Sequence, residues 1–332
     1  MQLPLNKKNT WLITGVAGFI GSHLLESLLS NGQKVIGIDS FVTGSENNLD
    51  HVRGLVGNNN WKNFKFYKED IRDLNICRKL CKKSDYVLHQ AALGSVPRSI
   101  KDPLTSHDTN INGFLNILES VKLSEVKKIV FASSSSVYGD HKSLPKLEGT
   151  EGKPLSPYAT TKKVNEMYAQ VFGDSYGLNY AGLRYFNVFG ERQDPNGPYA
   201  AVIPRWIDAL FNSKEIFING DGKTSRDFCY VKNVVQANIS AALTTNKKAN
   251  NQIFNIACGQ RTTLNKLFKL LKSEVQTIKG VKLEVNPTFK EFRDGDVRHS
   301  HADISKAKKL IKYSPEYLIE EGLGKTVPWF VK

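Results

Sequence analysis

A short apolar run, Trp11-Leu12-Ile13-Thr14, leads directly into Gly15-Val16-Ala17-Gly18-Phe19-Ile20-Gly21, and this junction constrains the chain more than any other stretch. From Phe19 to Ser30 apolar residues recur at helical spacing, and Asn31-Gly32 supplies a stop. A strand that turns on glycines into a helix lets backbone approach a pyrophosphate, which then rests against the helix N-terminus. The spacing is Gly-x-x-Gly-x-x-Gly rather than Gly-x-Gly-x-x-Gly, so the flanking strand and helix carry as much weight as the glycines. A second strand, Lys34-Val35-Ile36-Gly37-Ile38, ends on Asp39, 18 residues past Gly21. A carboxylate there accepts hydrogen bonds from both hydroxyls of an adenosine ribose and repels a 2′-phosphate. NAD is therefore expected in preference to NADP.

Strand and helix continue to alternate. Residues 64–68 read as a strand ending at Asp70-Ile71, and Tyr86-Val87-Leu88-His89 as another ending at Gln90-Ala91-Ala92. A helical stretch through Asn110, Gly113 and Leu118 precedes Lys128-Ile129-Val130-Phe131-Ala132. Repeated βα units with apolar strands predict an α/β fold, a Rossmann-type doubly wound parallel sheet covered by helices on both faces. Ligands of such sheets bind at the carboxyl ends of the strands, where Asp70, Ala91, Ala92, Ser133 and Ser134 stand. From about Val188 turn residues multiply, as in Asp194-Pro195-Asn196-Gly197-Pro198 and Asn219-Gly220-Asp221-Gly222. The expected division is a cofactor domain over 1–187 and a smaller α/β substrate domain over 188–332, with later strands able to return to the first sheet. The polar, glycine-rich stretch 43–57 reads as a loop over the adenosine side.

Composition removes several function classes. A hydrophobic content of 40% and a charged content of 23% are those of a globular protein, and no run approaches the ~20 apolar residues of a membrane span. The first ten residues are polar and basic without an apolar stretch behind them, so a cytoplasmic protein is expected. Four cysteines, Cys77, Cys81, Cys229 and Cys258, show no disulfide-framework or metal spacing. The net charge of +14 comes largely from lysine in helix-like surface runs such as 122–128 and 306–312. No aromatic-interleaved patch accompanies them, which argues against nucleic acid, while a basic surface suits an anionic small substrate. His299 and His301 alternate around Ser300 without a third ligand, so no metal is expected.

Chemistry concentrates in Ser156-Pro157-Tyr158-Ala159-Thr160-Thr161-Lys162. Pro157 suits a first helical turn, and the helix runs to about Tyr176. Tyr158 and Lys162, four apart, share one face about 6 Å apart along the axis. A phenol with a pKa near ~10 is a poor base at neutral pH, and a neighbouring ammonium favours its ionised form. The serines 133–136 follow a strand and bring at least one hydroxyl to the same cleft, and Asn187 ends a later strand in the same way.

Gly15-x-x-Gly18-x-x-Gly21, Asp39, Asp70-Ile71, Asn110, Ser134, Tyr158-x-x-x-Lys162 and Arg184-Tyr185-Phe186-Asn187 together resemble the extended short-chain dehydrogenase/reductases, and within them the UDP-N-acetylglucosamine 4-epimerases. The likeness extends to Asp221-Gly222-x-x-x-Arg226-Asp227-Phe228 and Arg293-Asp294-Gly295-Asp296. The resemblance implies NAD held by Gly15, Gly18, Phe19, Ile20, Gly21, Asp39, Asp70, Ile71, Ala91, Ala92, Asn110, Lys162 and Tyr185. It implies Ser134, Tyr158 and Lys162 as the catalytic group, Lys162 holding the nicotinamide ribose and lowering the phenol's pKa through its charge. A UDP-sugar would then lie against Gly94, Ser95, Ser134, Ser135, Tyr158, Asn187, Ala201, Val202 and Ser300, with Arg226 and Arg293 on its diphosphate. A homodimer is implied as well.

The nearest alternatives are related dehydratases and decarboxylases, which also begin by oxidising carbon 4. These resemble the chain but carry carboxylates after the active-site hydroxyl residue, where Ser135 and Ser136 stand here. A non-catalytic NAD-binding regulator on the same fold is the other class, and it would be expected to have lost Ser134, Tyr158 or Lys162.

Overall fold

The computed structural model describes residues 5, 7–195, 201–292 and 297–331. Seven parallel strands form its central sheet: β1 (Thr10–Thr14), β2 (Lys34–Ile38), β3 (Phe64–Tyr67), β4 (Tyr86–His89), β5 (Lys128–Ser134), β6 (Tyr180–Tyr185) and β7 (Gln252–Ile256). Their order is β7-β6-β5-β4-β1-β2-β3. The chain builds outward from β1 to β3, then returns to the other side of β1 with β4, which opens a crevice at the β1/β4 strand ends. Thr14 registers with Ile38 on one side and His89 on the other, so the three strands end together at the glycine turn.

Strands buried on both faces need helices on both. One face packs α1 (Phe19–Ser30) and α2 (Glu46–Trp61) beside Val234, Val235 and Ile239 of a later helix, Val231–Leu243. On the other face, Leu80, Ile117 and Phe172 come from α3 (Leu74–Cys81), α4 (Gly113–Lys122) and α5 (Pro157–Tyr176). A second core, with Phe189, Trp206, Leu267, Leu271 and Leu323, gathers helices Val202–Phe211, Leu264–Lys279 and Ile319–Phe330 beside the strand ends.

Stretch 43–57 differs from the loop expected of it. Most of it lies in α2, whose Leu49, Val52 and Val56 are buried at three-to-four spacing against α1. Gly57, at φ +74, kinks the helix, and the abundant asparagines and glycines masked its thin apolar stripe. Among the described residues no helix is long and apolar enough to cross a membrane.

Candidate active site

Gly15 takes φ +69 to leave β1, and a Cβ there would stand 2.8 Å from the Ala91 nitrogen. At Gly21 an added Cβ would lie 2.0 Å from the Gly15 carbonyl oxygen, so only glycine lets α1 start so close to the turn. Gly18 caps α1 without a side-chain hydrogen bond, leaving the first-turn N–H groups directed at whatever sits before them. Asp39 braces this turn: Oδ2 accepts the Ala17 N–H and Oδ1 the Phe41 N–H, each at 2.9 Å. Burial pushes the Asp39 carboxyl upward, opposed by the N–H groups of Phe41, Ala17 and Gly18. A cleft of about 350 Å³ runs from Asp39 and Val42, across the glycines, to Ala132, Tyr158, Lys162 and Tyr185. The carboxylate, the glycine cradle and the bare helix N-terminus suit a dinucleotide laid along it.

Of the residues expected around a cofactor, Phe19, Ile20, Asp70, Ile71, Ala91 and Ala92 also line this cleft. Arg72 grips Asp70 through Nη2 at 2.8 Å and Nε at 3.1 Å, which holds that carboxyl below its usual range. Asn110 is placed differently. It is buried outside the cleft lining, its Oδ1 accepting the Leu93 N–H (2.7 Å) and its Nδ2 donating to Leu93 O and Thr161 Oγ1 (both 3.1 Å). With every amide group used, it fixes the chain leaving β4 to α5.

Ser156 caps α5 by accepting the Ala159 N–H at 3.1 Å, and Pro157 starts the helix. Tyr158 and Lys162 both line the cleft, the Lys162 ammonium 6.0 Å from the Tyr158 ring centroid. Lys162 Nζ donates to the Ala132 carbonyl at 2.8 Å, and burial pushes its pKa down to about 8, opposed by the Glu166 carboxylate. Burial pushes the Tyr158 phenol up, and the Ser134 hydroxyl pulls it down. A downward pull on the phenol comes from Ser134, while the nearby Lys162 ammonium is bonded to a carbonyl.

Several supporting residues escaped the sequence reading. Glu166, one turn beyond Lys162, accepts from Ser133 Oγ (2.6 Å) and from Arg184 Nε and Nη2 (2.8 and 2.7 Å). Arg184 also bonds Glu151, whose pKa falls to about 2 under that charge despite burial. The spacing of four between Lys162 and Glu166 is the signal that could have pointed to Glu166. Tyr185, expected at the cofactor, does line the cleft, its hydroxyl donating to Gln90 Oε1 at 3.0 Å beside Asn238. Thr14 Oγ1 sits 2.9 Å from His89 Nδ1 and accepts the Ala91 N–H at 3.2 Å; burial keeps His89 neutral, at about 3.

Gly94 belongs to the cleft, whereas Ser95, Ser134, Ser135, Asn187, Ala201, Val202, Arg226 and Ser300 lie beyond its lining, Ser134 directly after the lining residue Ser133. Ser95 caps the short helix Val96–Lys101, and Ser135 opens the turn after β5. Asn187, at φ +31, donates through Nδ2 to Asp227 O (3.3 Å). Exposed Ala201 precedes the Val202–Phe211 helix, whose first residue packs on the second core. Arg226 donates to Ser225 O at 3.0 Å and Arg298 O at 3.3 Å, and the Ser300 N–H bonds Ser225 O at 3.0 Å, so these two neighbour one another. Asp227 is fully buried and binds three N–H groups: Cys258 (2.9 Å), Gly259 (3.1 Å) and Ala302 (3.3 Å). His299 Nδ1 pairs with Ser225 Oγ (2.9 Å) and His301 Nε2 with Gly259 O (3.0 Å). Arg293 lies outside the described residues.

Residues 11–257 match the model of the NAD dependent epimerase/dehydratase family. Among solved structures, a UDP-N-acetylglucosamine 4-epimerase from Methanobrevibacter ruminantium M1, in complex with UDP-N-acetylmuramic acid, is 40% identical with a TM-score of 0.89; the match covers 98% of this chain and 99% of that one. A UDP-glucuronic acid 4-epimerase from Bacillus cereus, in complex with UDP-glucuronic acid and NAD, is 32% identical (TM-score 0.85, 97% and 98% covered). A putative UDP-glucose 4-epimerase of Methanocaldococcus jannaschii is 39% identical over 320 residues, 96% of this chain and 97% of its own.

Proposed function

This chain belongs to the NAD dependent epimerase/dehydratase family, and on that premise we propose that it is a UDP-sugar 4-epimerase interconverting UDP-GlcNAc and UDP-GalNAc, with UDP-Glc and UDP-Gal as further substrates. The observation that carries the reading is the Tyr158 phenol in the cofactor cleft, lowered by Ser134, with serines rather than carboxylates following at 135 and 136. NAD supplies the acceptor and donor of the carbon-4 hydride. Tyr158 takes the proton of the sugar 4-hydroxyl and later returns it, and Ser134 orients that oxygen. Lys162 holds the nicotinamide ribose. Glu166, the buried acid one turn beyond Lys162, is consumed by Arg184 and Ser133, so it is not available to eliminate water from the keto sugar.

Asp39 and the glycine turn hold the dinucleotide, while Arg226 and Arg293 hold the UDP diphosphate. In this reading 1–187, completed by β7, is the cofactor part and 188–332 supplies the sugar-nucleotide part. A homodimer would bury the exposed Ile100, Leu104, Met167 and Val171 on α5 and the two short helices beside it, and sedimentation would test that. For the activity, the protein is incubated with single UDP-hexoses without added reductant and the products are resolved chromatographically. Interconverted 4-epimers are expected. A dehydrated or decarboxylated product, or a stoichiometric need for NADPH, would overturn the reading.

A further inference from the structure

A serine hydroxyl offers one hydrogen and two acceptor sites, so its orientation is settled by what approaches it. β5 ends on Ser134, and the chain tightens at once into the turn Ser135–Tyr138. This turn folds Ser136 back onto Ser134. Ser136 donates twice to the Ser134 Oγ, from its backbone N–H at 3.1 Å and from its own hydroxyl at 2.9 Å. Both acceptor sites of Ser134 are then filled. Its one hydrogen is left to turn toward the Tyr158 phenol, which Ser134 pulls down from the raised value that burial sets.

We propose that Ser136 is a positioning residue: its hydroxyl fixes the Ser134 hydroxyl as a donor to the Tyr158 oxygen. The proposal rests on the reading of Tyr158 as the proton acceptor. A donor to the phenol stabilises its anion, and a donor that is itself hydrogen-bonded is polarised and gives more. Without the Ser136 hydroxyl, Ser134 is held only by the backbone N–H and can turn its hydrogen elsewhere. The elements packed on the Tyr158 helix carry other titratable groups: Lys162, Lys163 and Glu166 on the helix itself, Arg98 and Lys101 on Val96–Lys101, His107 on Pro103–His107, Asp108 just after it, Lys128 on β5, Tyr138 on the turn, and Arg184 and Tyr185 on β6. None of them changes when Ser136 is replaced, so a difference between variants isolates the one hydroxyl.

The test is a pH titration of tyrosinate absorbance in NAD-loaded wild type, Ser136→Ala and Ser136→Thr, with Tyr158→Phe identifying the Tyr158 component. A kcat/KM profile against pH with UDP-GlcNAc accompanies it. In Ser136→Ala the Tyr158 component and the acid limb should move up by roughly 0.5–1 pH unit, the size one neutral hydrogen bond supports, and kcat at pH 7 should fall about 3–10-fold. Ser136→Thr, which keeps the hydroxyl, should restore both. An unmoved Tyr158 component in Ser136→Ala overturns the proposal, even if turnover falls. Should Ser136→Ala not fold, Ser136→Cys, a weaker donor, must show the same upward move. Should no UDP-sugar be turned over at all, the absorbance titration still decides the Ser136 question, and only the functional reading fails.

Discussion

Replacing Lys162 with methionine is expected to make the protein more heat-stable while abolishing turnover. Lys162 is only 2% exposed, and burial lowers its ammonium from the ordinary 10.5 to about 8. A fall of about 2.5 pH units, at about 1.36 kcal/mol each, means that charged Lys162 favours the unfolded chain by about 3 kcal/mol. Methionine matches its length and carries no charge, but it leaves the Ala132 carbonyl without a partner, which costs about 1–2 kcal/mol. The net gain is about 1–2 kcal/mol, a rise in melting temperature of about 1.5–3 °C for a chain of this size. The sign with pH follows from linkage. Because the folded pKa lies below the unfolded one, the penalty is full below about pH 8 and fades as the pH rises through 8 toward 10.5, where both states are neutral. Calorimetry of both proteins at steps across that window should show the variant's advantage shrinking and then reversing, as the lost Ala132 bond alone remains. A variant that melts lower at neutral pH, or a gap that ignores pH, would refute the reasoning.

Tyr158→Phe should lower kcat by on the order of 10²-fold or more with UDP affinity little changed, measured by turnover and calorimetric titration. Ser300→Tyr should suppress epimerisation of the N-acetylated pair while sparing UDP-Glc and UDP-Gal. Overpacking of ~1–3 kcal/mol corresponds to about 5–150-fold in the ratio of kcat/KM values, and an unchanged ratio would remove Ser300 from the pocket wall. Asp227→Asn places an N–H₂ where the carboxylate accepts three N–H groups, so KM for the UDP-sugar should rise about 5–50-fold while retained NAD stays constant. The Asp227 carboxyl, raised to about 6 by burial, should also make wild-type KM climb as pH falls through that value.

The cofactor cleft was legible because its parts are local. Strand, glycine turn and helix occur within residues 10–30, and Tyr158 and Lys162 share one helix, so spacing alone places them. What sequence could not supply was contact across the chain. Asn110 looks like a cleft residue until Leu93 and Thr161 are seen to take its whole amide. The bond from Lys162 Nζ to the Ala132 carbonyl joins residues 30 apart in sequence, which helical spacing cannot show. Asp227, 31 residues from Cys258 and 75 from Ala302, has no neighbour in sequence that reveals its role. Helix α2 was missed for a different reason, since three apolar residues among asparagines and glycines give too faint a period.

The position of β7 has a consequence for how the molecule is made. β6 is buried along all six residues, yet the strand that covers its outer edge begins 67 residues after it ends. At about 5–20 residues per second, a ribosome leaves that edge open for roughly 3–13 s. Helix Val231–Leu243, which shields the same side of the sheet, emerges in the same interval. A nascent chain halted near residue 187 would thus present an unpaired apolar strand, a ready template for another chain. Fragments and chimaeras cut at the apparent boundary should aggregate unless the strand Gln252–Ile256 is supplied, so the unit of exchange for engineering is nearly the whole polypeptide.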